Sequence, residues 1–246
     1  GSVAPKGTAA VIPVEDVTEA GGEIVVPENV KLRPNICWKG EDAKAGQPLV
    51  RAGETITPVL RSLLVANGLK RVRARKLPSV AVFSTGHEVV AFDQKPNNWQ
   101  VVDCNSWTVS GLLSTSGLST PESLGVLADE PKTLRTRLGK ALERYDVVIV
   151  SGGVSKGDFD YVPEVVGGLG AKTLVHGVAT KPGRPLFVAQ KGRKVIFGLP
   201  GNPVAVLATT CFYVIPFLNR IAGREPLLPA SKARLAKETR RDVSPT

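Results

Sequence analysis

The pattern of hydrophobic and polar positions changes at about residue 78. From Ser79 onward, short apolar runs alternate with longer stretches in which apolar residues recur at helical spacing. The short runs are rich in β-branched residues and predict strands, whereas the longer stretches predict helices. The predicted strands are residues 80–83, 124–127, 147–150, 173–178, 186–188 and 195–197, and the predicted helices are residues 105–116, 133–144, 161–169 and 203–221.

This alternation predicts an α/β domain with a mostly parallel sheet and helices on both faces. Ligands of such sheets bind beyond the carboxyl ends of the strands. Polar loops follow three of the predicted strands, at residues 84–88, 129–130 and 151–160. The pattern therefore predicts a binding site where these loops meet.

The chain before the α/β domain has a different character. Residues 1–30 mix short apolar runs with Gly and Pro, which predicts an irregular, β-rich segment. Residues 31–77 are basic and turn-rich, which is typical of a connector between domains. One helix is predicted within them, with Pro58 at its start, Asn67 at its end and Gly68 just beyond. Beyond residue 226, a polar, basic tail runs to Thr246. We expect this tail to be only part of a folded segment.

The net charge is 32 − 22 = +10, and it is unevenly placed. Residues 31–76 hold eleven Lys or Arg and only three acids. Such an excess suits nucleic acid, an anionic surface or small anionic substrates. Nucleic acid is the weaker option, because there is no zinc-finger spacing or aromatic RNA-binding signature and only 5% of residues are aromatic.

Cysteine content and hydropathy indicate the cellular compartment of the protein and its relation to membranes. The chain has three widely spaced cysteines, Cys37, Cys104 and Cys211, so their number and spacing indicate neither a disulfide framework nor a metal-binding motif. We therefore expect a reducing, cytoplasmic compartment. The longest apolar stretch, residues 204–218, is too short for a membrane span and contains Thr209, Thr210 and Pro216. We expect it to form a buried helix, and we expect no membrane partner.

The most informative stretch follows the predicted strand at residues 147–150. Gly152 and Gly153 let the backbone approach a ligand closely, while Ser151 and Ser155 add hydroxyl groups suited to a phosphate. Downstream, the carboxylates of Asp158 and Asp160 could serve as ligands for Mg²⁺ beside that phosphate. The alternative is a tight strand-to-helix turn with solvated acids.

Two further loops favour anions. Lys181-Pro-Gly-Arg184-Pro joins two predicted strands, and its prolines stiffen a turn that presents two cations. A rigid hairpin with solvated charges remains the alternative. Gly198-Leu-Pro200-Gly-Asn202-Pro203 follows a strand and opens a helix, with Asn202 as a good N-cap and Pro203 where a helix tolerates proline.

Other candidate groups carry a weaker signal. Thr133, after Pro131, is a plausible N-cap, and Asp103-Cys-Asn is expected to cap a helix. His87 is expected at the surface and His176 is expected to be structural. No Ser/His/Asp triad, Walker lysine loop or full dinucleotide fingerprint is present.

Taken together and in this order, the motifs resemble those of the molybdopterin molybdenumtransferases, a family that includes gephyrin-E-domain-like proteins. The resemblance spans essentially the whole chain. The motifs that carry it are Ser84-Thr-Gly-His-Glu88, Asp103-Cys-Asn105, Ser151-Gly-Gly-Val-Ser-Lys-Gly-Asp-Phe-Asp160, Lys181-Pro-Gly-Arg-Pro185 and Gly198-Leu-Pro-Gly-Asn-Pro203, with Pro5-Lys-Gly-Thr-Ala-Ala-Val-Ile and Lys39-Gly-Glu-Asp upstream.

The resemblance implies a domain organisation and a reaction. Residues 78–222 would be the molybdopterin-binding domain, residues 1–30 part of a mixed β domain, residues 31–77 the linker and residues 226–246 the start of a C-terminal β domain. The protein would be a homodimer that takes adenylylated molybdopterin and molybdate, uses a divalent metal such as Mg²⁺ and releases AMP. A contact with the molybdopterin adenylyltransferase is also expected.

The resemblance also implies roles for individual residues. Glu88, Asp129 and Asp160 match functionally important acids, and Ser155 lies in the pterin-phosphate loop. Lys181 and Arg184 match cationic residues that lie near the molybdate in the family. Pro200 and Pro203 match prolines of the family's turn before the last helix.

Two departures from the family pattern keep a second hypothesis open. His87 stands where the family usually has Asp, and Ala205 stands where many members have Ser. The alternative function is a non-catalytic molybdopterin-binding or scaffold relative that retains the pocket. The related adenylyltransferase is disfavoured by the segments before residue 78, and the choice between molybdate and tungstate stays open.

Overall fold

The computed structural model describes residues 2–26, 28, 35–155 and 160–225. The chain forms two compact units, of which the first ends at Lys70 and the second begins at Arg71. Asp158, one of the two predicted Mg²⁺ ligands, and the predicted C-terminal segment at residues 226–246 lie outside the described residues.

The first unit contains a hairpin and a helix. A 3₁₀ turn (Val14–Asp16) precedes the antiparallel strands β1 (Thr18–Ala20) and β2 (Glu23–Val25). Helix α1 (Pro58–Ala66) begins with Pro58, and the Leu60 N–H donates to the N-cap hydroxyl of Thr57 over 3.2 Å. The helix prediction for this segment is confirmed, with Asn67 just past the last helical residue.

The second unit contains every strand and helix predicted after residue 78. Its strands are β3 (Val80–Thr85), β4 (Val89–Val90), β5 (Val101–Val102), β6 (Glu122–Leu127), β7 (Val147–Ser151), β8 (Lys172–His176), β9 (Phe187–Lys191) and β10 (Lys194–Leu199). Its helices are α2 (Asn105–Thr115), α3 (Pro131–Arg144), α4 (Val162–Gly168), α5 (Pro203–Thr209) and α6 (Ile215–Ile221).

Six of these strands form one sheet in the order β6-β3-β7-β10-β9-β8. The first four strands are parallel, and β9 and β8 continue the sheet in antiparallel pairing. The predicted α/β class with a mostly parallel sheet is thus confirmed. Since β3, β7 and β10 are adjacent and parallel, their carboxyl ends and the loops that follow them lie at one edge.

The sheet is buried on both faces, as expected for strands with continuous apolar runs. On one face, Phe83, Val148 and Val150 pack with residues of α3 and α4 such as Leu138 and Val166. On the other face, alternate residues of the same strands pack against α2 and the C-terminal helical segment. This second core contains Val80, Val82, Val109, Leu113, Val147, Ile149, Phe197, Leu199, Val206, Val214 and Leu218.

The predicted helix at residues 203–221 is continuous, with a π-helical segment (Thr210–Val214) between α5 and α6. By length and composition, this helix is one that could cross a membrane. Its Val206, Val214 and Leu218 side chains nevertheless have no solvent exposure and pack on the sheet. The expectation of a buried helix therefore holds for one side only, because Val204 and Phe212 are exposed.

One predicted cap is wrong. Helix α3 begins at Pro131, so the N-cap is Glu130 and not Thr133. Proline has no N–H to lose and its φ suits the first helical position, which moves the start two residues upstream. The Thr133 hydroxyl instead donates to the Glu130 carboxylate over 3.1 Å.

Asp146 joins the beginning of β7 to the beginning of β3. Its Oδ2 accepts hydrogen bonds from the Ser79 N–H (2.9 Å) and the Ser79 hydroxyl (2.8 Å), and Lys194 lies 3.9 Å from its Oδ1. The backbone hydrogen bond from Ser79, then its hydroxyl, and then the Lys194 charge lower the pKa of Asp146 below its usual value. The ionised carboxylate is consequently the form that stabilises the fold.

We predict that Asp146→Asn destabilises the protein at neutral pH by about 1 kcal/mol, because a half-exposed charged acceptor becomes a neutral one. The pKa of Asp146 is lower in the folded than in the unfolded state. Its stabilisation is therefore complete above the unfolded-state pKa of about 3.9 and disappears as the pH falls through the lower folded-state value. Urea unfolding of both proteins along a pH series measures this, and a difference that stays constant or grows in acid would contradict it.

Candidate ligand-binding site

A cavity of about 490 Å³ opens at the carboxyl ends of β3, β7 and β10. Its wall brings together residues from six stretches that are far apart in the sequence. The predicted site residues that line it are Glu88, Asp129, Ser151, Gly152, Gly153, Ser155, Asp160, Pro200 and Pro203. The loops following parallel strands thus converge as the strand pattern predicts.

The glycine loop after β7 is fixed by the protein's own backbone. Gly152 has φ +94° and Gly153 has φ +64°, a region that favours glycine. The Gly152 N–H donates to the Leu199 carbonyl over 3.0 Å, and a Cβ atom at Gly152 would overlap with the carbonyl oxygen of Thr85. Gly152 is therefore required by the fold itself, and substituting it cannot report ligand approach alone.

Ser151 and Asn105 connect three of the loops. The Ser151 hydroxyl, which is buried, accepts from Asn105 Nδ2 (2.8 Å) and donates to the Pro200 carbonyl (3.3 Å). Asn105 Nδ2 also donates to the Gly201 carbonyl over 2.8 Å. Ser151 thus serves as a structural link in this arrangement, whereas Ser155 is exposed at the cavity wall.

The turn before α5 presents prolines to the cavity while Asn202 acts as the N-cap. Asn202 Oδ1 accepts from the N–H groups of Val204 (3.0 Å) and Ala205 (3.2 Å), as the sequence predicts for a cap. Pro200, Gly201 and Pro203 of this turn line the cavity, and Asn202 is not among the lining residues. Ala205 is buried in the first turn of the helix.

Three carboxylates give the cavity a negative region. Asp129 accepts a hydrogen bond from the Thr85 hydroxyl, and its Oδ2 lies 3.5 Å from Nδ1 of His87. Burial raises the pKa of Asp129, Glu88 and Asp160 raise it further, and the Thr85 hydrogen bond and His87 lower it. The repulsion of an ionised Asp129 by Glu88 and Asp160 would be relieved by a bound cation.

The carboxylate oxygens of this cavity are ligands that suit Mg²⁺, but the protein supplies only a few of the ligands that the ion needs. Among residues 2–26, 28, 35–155 and 160–225, no group of three or more His, Cys, Asp or Glu side chains is placed to hold a metal ion. Mg²⁺ commonly takes one or two carboxylates and completes its octahedron with waters and substrate phosphates. Asp160 with one neighbouring carboxylate fits that pattern.

The cationic turn borders a second cavity, of about 560 Å³, that shares Val154, Ser155 and Pro185 with the first. Arg184 and His176 line this second cavity. Lys181 is exposed and is not among the residues that line either cavity. Of the two predicted cations, only Arg184 therefore lines one of these two cavities.

Sequence reasoning missed His176 as a cavity residue. It was expected to be structural because it lies in a strand-like run, yet it is exposed at the end of β8, and its ring meets that of Phe187 edge-on at 5.5 Å. The available signal was its place at a strand end, one residue before Gly177.

Asp103 also does more than its predicted capping role. Its Oδ1 accepts from the backbone N–H groups of Asn105 (3.0 Å) and Ser106 (3.2 Å), as a helix cap does. The same oxygen accepts from the buried Ser84 hydroxyl over 2.7 Å. This buried carboxylate therefore ties the start of α2 to the end of β3 and holds Asn105 beside the glycine loop.

A mostly parallel sheet whose carboxyl edge carries a glycine loop, grouped carboxylates and a cationic turn is typical of α/β proteins that bind phosphate-bearing ligands. Comparison with protein families agrees with this class. Residues 81–220, more than half of the chain, match the family described as "Probable molybdopterin binding domain", and residues 1–68 match the "MoeA N-terminal region (domain I and II)". The chain belongs to the MoeA/molybdopterin molybdenumtransferase family, as its motifs indicate.

Individual relatives support the assignment. A molybdopterin molybdenumtransferase from Nostoc sp. is 34% identical over 91% of this chain and 52% of its own length, and one from Staphylococcus aureus is 31% identical over 93% and 54%. The solved molybdopterin biosynthesis MoeA protein from Pyrococcus horikosii superposes with a TM-score of 0.69 at 33% identity, covering 88% of this chain and 54% of that one. The chain spans about half the length of these relatives.

The contribution of the close contact between Gly152 and Thr85 to stability can be tested with a pair of glycine substitutions. We predict that Gly152→Ala destabilises the fold by about 3 kcal/mol or more, because the strain of a positive φ adds to overlap with the Thr85 carbonyl. Gly170→Ala is the control: Gly170 has φ +82° but no atom within 4 Å of an added Cβ, so only about 1 kcal/mol is expected. Thermal unfolding of the two variants measures the difference, and equal losses would contradict the overlap.

Proposed function

We propose that the protein binds molybdopterin or its adenylylated form and inserts molybdenum from molybdate, with release of AMP. The observation that carries this proposal is the single cavity in which the glycine loop and the carboxylates Glu88, Asp129 and Asp160 face one another. A phosphoanhydride needs both features, namely hydrogen-bond donors for its oxygens and a held cation for its charge. The names of the curated relatives support the reaction.

In this proposal the substrate phosphates lie along the loop from Gly152 to Ser155. The exposed Ser155 hydroxyl can donate to a phosphate oxygen, while Gly152, whose N–H donates to the Leu199 carbonyl, fixes the backbone of the loop. Ser151 and Asn202 hold the loops in place through their own hydrogen bonds. Their contribution to binding is therefore preorganisation of the site.

Asp160 and Glu88 would hold Mg²⁺, with Asp129 beside them. The bound metal would neutralise the charge that develops on the phosphate oxygens. Thr85 donates to Asp129, and His87 lies on its other side, so the orientation of this carboxylate is fixed before a ligand arrives. Asp158 remains a proposed ligand on sequence grounds alone.

Molybdate would occupy the second cavity, with Arg184 as its main partner. A guanidinium offers two parallel donors to an oxyanion, and Arg184 lies on a turn whose prolines limit its freedom. Lys181, on the same turn, would contribute by its charge. Ser155 lines both cavities, so the pterin phosphate and the oxyanion would be neighbours.

The setting of this reaction is also part of the proposal. A cytoplasmic homodimer that contacts the molybdopterin adenylyltransferase is what the resemblance implies. The odd number and wide spacing of Cys37, Cys104 and Cys211 support a reducing compartment. No nucleic acid or membrane partner is proposed.

A non-catalytic scaffold that keeps the pocket is the second candidate, and two residues favour it. His87 brings an imidazole to Asp129 where the family usually has a carboxylate, which reduces the negative charge near the metal site. Ala205 offers no hydroxyl to a substrate. A scaffold would bind molybdopterin and release no AMP.

We predict that Asp160→Asn retains molybdopterin affinity and loses at least tenfold in Mg²⁺-dependent AMP release, which is about 1.4 kcal/mol of barrier. The reason is that an amide cannot replace a charged Mg²⁺ ligand. Asp93→Asn removes an exposed carboxylate of a different loop and serves as the control. AMP release and pterin binding are measured separately on all three proteins.

The outcomes separate the two candidates. Binding with no AMP release from the unsubstituted protein would favour the scaffold. Release that stays within about twofold in Asp160→Asn, or under ~0.5 kcal/mol, would remove Asp160 from the metal site.

We predict that Arg184→Ala weakens molybdate use far more than pterin binding, because Arg184 borders the second cavity only. Arg193→Ala carries the same charge change in the exposed β9–β10 turn and should leave both properties within about twofold, or ~0.4 kcal/mol. Molybdate-dependent cofactor formation and pterin affinity are the two measurements. Equal losses of both in Arg184→Ala would mean that the turn is structural and that the oxyanion binds elsewhere.

A further inference from the structure

The cationic turn rests on helix α5 through Gly183. A Cβ atom added to Gly183 would lie 2.7 Å from Cγ2 of Thr209, well inside the roughly 3.5–4.0 Å at which carbon atoms pack. The Thr180 hydroxyl would lie 3.5 Å from the same Cβ atom, which is an ordinary contact. Gly183 and Thr209 are both buried. The tip of the turn is therefore in close contact with the methyl group of one threonine.

The Thr209 side chain is held in one orientation by its own hydroxyl group. The hydroxyl donates to the Ala205 carbonyl over 2.7 Å and lies 3.2 Å from the Val206 carbonyl oxygen. Threonine in a helix divides between two rotamers, because its hydroxyl can bond a carbonyl of the preceding turn. With the hydroxyl bonded to Ala205, the methyl group is directed at Gly183.

Backbone hydrogen bonds hold the base of the same turn. The Val178 N–H donates to the Arg184 carbonyl (2.8 Å), and the Gly177 N–H donates to the Leu186 carbonyl (2.8 Å). Two bonds at the base define a hinge line, so a third contact is needed to fix the tilt of the tip. Gly183 makes that contact with Thr209, one residue before Arg184.

Helix α5 extends from the ligand-binding cavity to this turn. Its first residue, Pro203, lines the ligand-binding cavity, and Thr209 is its last residue. Arg184 lines the second cavity. The length of a rigid helix therefore sets the distance between the two cavities. Thr209 itself is not among the residues that line either one, so any effect it has on a ligand is exerted through the turn.

We propose that Thr209 is a positioning residue for oxyanion binding: its methyl group seats Gly183 and thereby fixes Arg184 against the second cavity. The inference rests on the proposed function, in which Arg184 binds molybdate. The two parallel donors of a guanidinium meet two oxygens of an oxyanion only within a narrow range of orientations. A misplacement of about 1 Å can cost roughly a hundredfold, so the seat of the turn is decisive.

A double-mutant cycle on molybdate affinity tests the contact, with calorimetry as the measurement. Gly183→Ala should weaken molybdate binding by about tenfold or more, because the added methyl group displaces the turn from the helix. Thr209→Ser removes the seat and should weaken it by about threefold to tenfold. Serine also leaves room for the alanine, so adding Gly183→Ala to Thr209→Ser should cost less than about threefold. Molybdopterin affinity should stay within about twofold in all three variants.

Three further variants separate the contact from other effects. Gly170→Ala also introduces a side chain at a positive φ, +82° against +115° at Gly183, but meets no atom within 4 Å. Thr136→Ser changes an exposed threonine of α3 whose hydroxyl likewise donates to the carbonyl four residues earlier, over 2.9 Å. Both controls should leave molybdate affinity within about twofold. Thr209→Val should keep it within about threefold, because valine retains the methyl group and holds one helical rotamer about 90% of the time.

Three results would overturn the proposal. The first is a cycle in which the losses simply add, and the second is a loss in Thr209→Val as large as that in Thr209→Ser. The third is an equal loss of molybdate and molybdopterin affinity in the Thr209 variants, which would make this residue a structural one. Thermal unfolding confirms that each variant is folded. If Gly183→Ala does not fold, the comparison of Thr209→Ser with Thr209→Val and Thr136→Ser still decides the matter.

Failure of the proposed function gives a different result. If the cycle behaves as expected but no AMP is released, the positioning role stands and the molybdenum-inserting function is wrong. If Arg184→Ala loses molybdate affinity and the cycle is additive, the function stands and Thr209 has no part in it. Absence of molybdate binding by the unsubstituted protein would overturn the positioning role together with the assignment of Arg184 to the oxyanion.

Discussion

The close approach of β7 to the end of β3 is the constraint on which the site depends. At Gly152 the chain passes so near the Thr85 carbonyl that no side chain fits, and the Gly152 N–H is used by the Leu199 carbonyl of β10. Three neighbouring strand ends are thereby joined through one residue without a Cβ. Asp129, held by the Thr85 hydroxyl, is placed beside the same loop. The positions of the glycine loop and of the acids are consequently set by backbone packing before any ligand binds.

The charge of the site opposes the charge of the chain. The protein carries a net +10, yet the cavity gathers Glu88, Asp129 and Asp160, and the raised pKa of Asp129 reflects burial reinforced by the other two acids. A positive surface attracts anionic substrates over a distance of roughly a Debye length, about 8 Å at physiological salt. Close to the acids, however, a phosphate is repelled unless a cation accompanies it. Overall charge therefore favours capture of an anion, and local charge favours its binding together with a metal.

Much of the fold could be predicted from periodicity, since all six strands of the sheet and the four helical segments after residue 78 occupy their expected places. The convergence of Glu88, Asp129 and Asp160 also followed, because parallel strands end at one edge. The roles of Ser151 and Asn105 could not be predicted, since their partners, Pro200 and Gly201, come from a distant loop. The fact that Arg184 lines a cavity, whereas Lys181 does not, depends on how their shared turn is oriented, which sequence spacing does not determine.

A cavity held in this way can change its chemistry without losing its shape. The side chain of His87 is 61% exposed, so a residue there can be exchanged at little cost in stability. Ala205 is buried, but its N–H still completes the Asn202 cap whatever its side chain is. Both departures from the family pattern thus alter charge and hydrogen-bonding groups and leave the Thr85–Gly152 contact untouched. Whether this protein is a catalyst or a scaffold is decided by those groups and by the metal they permit, because the fold supports either one.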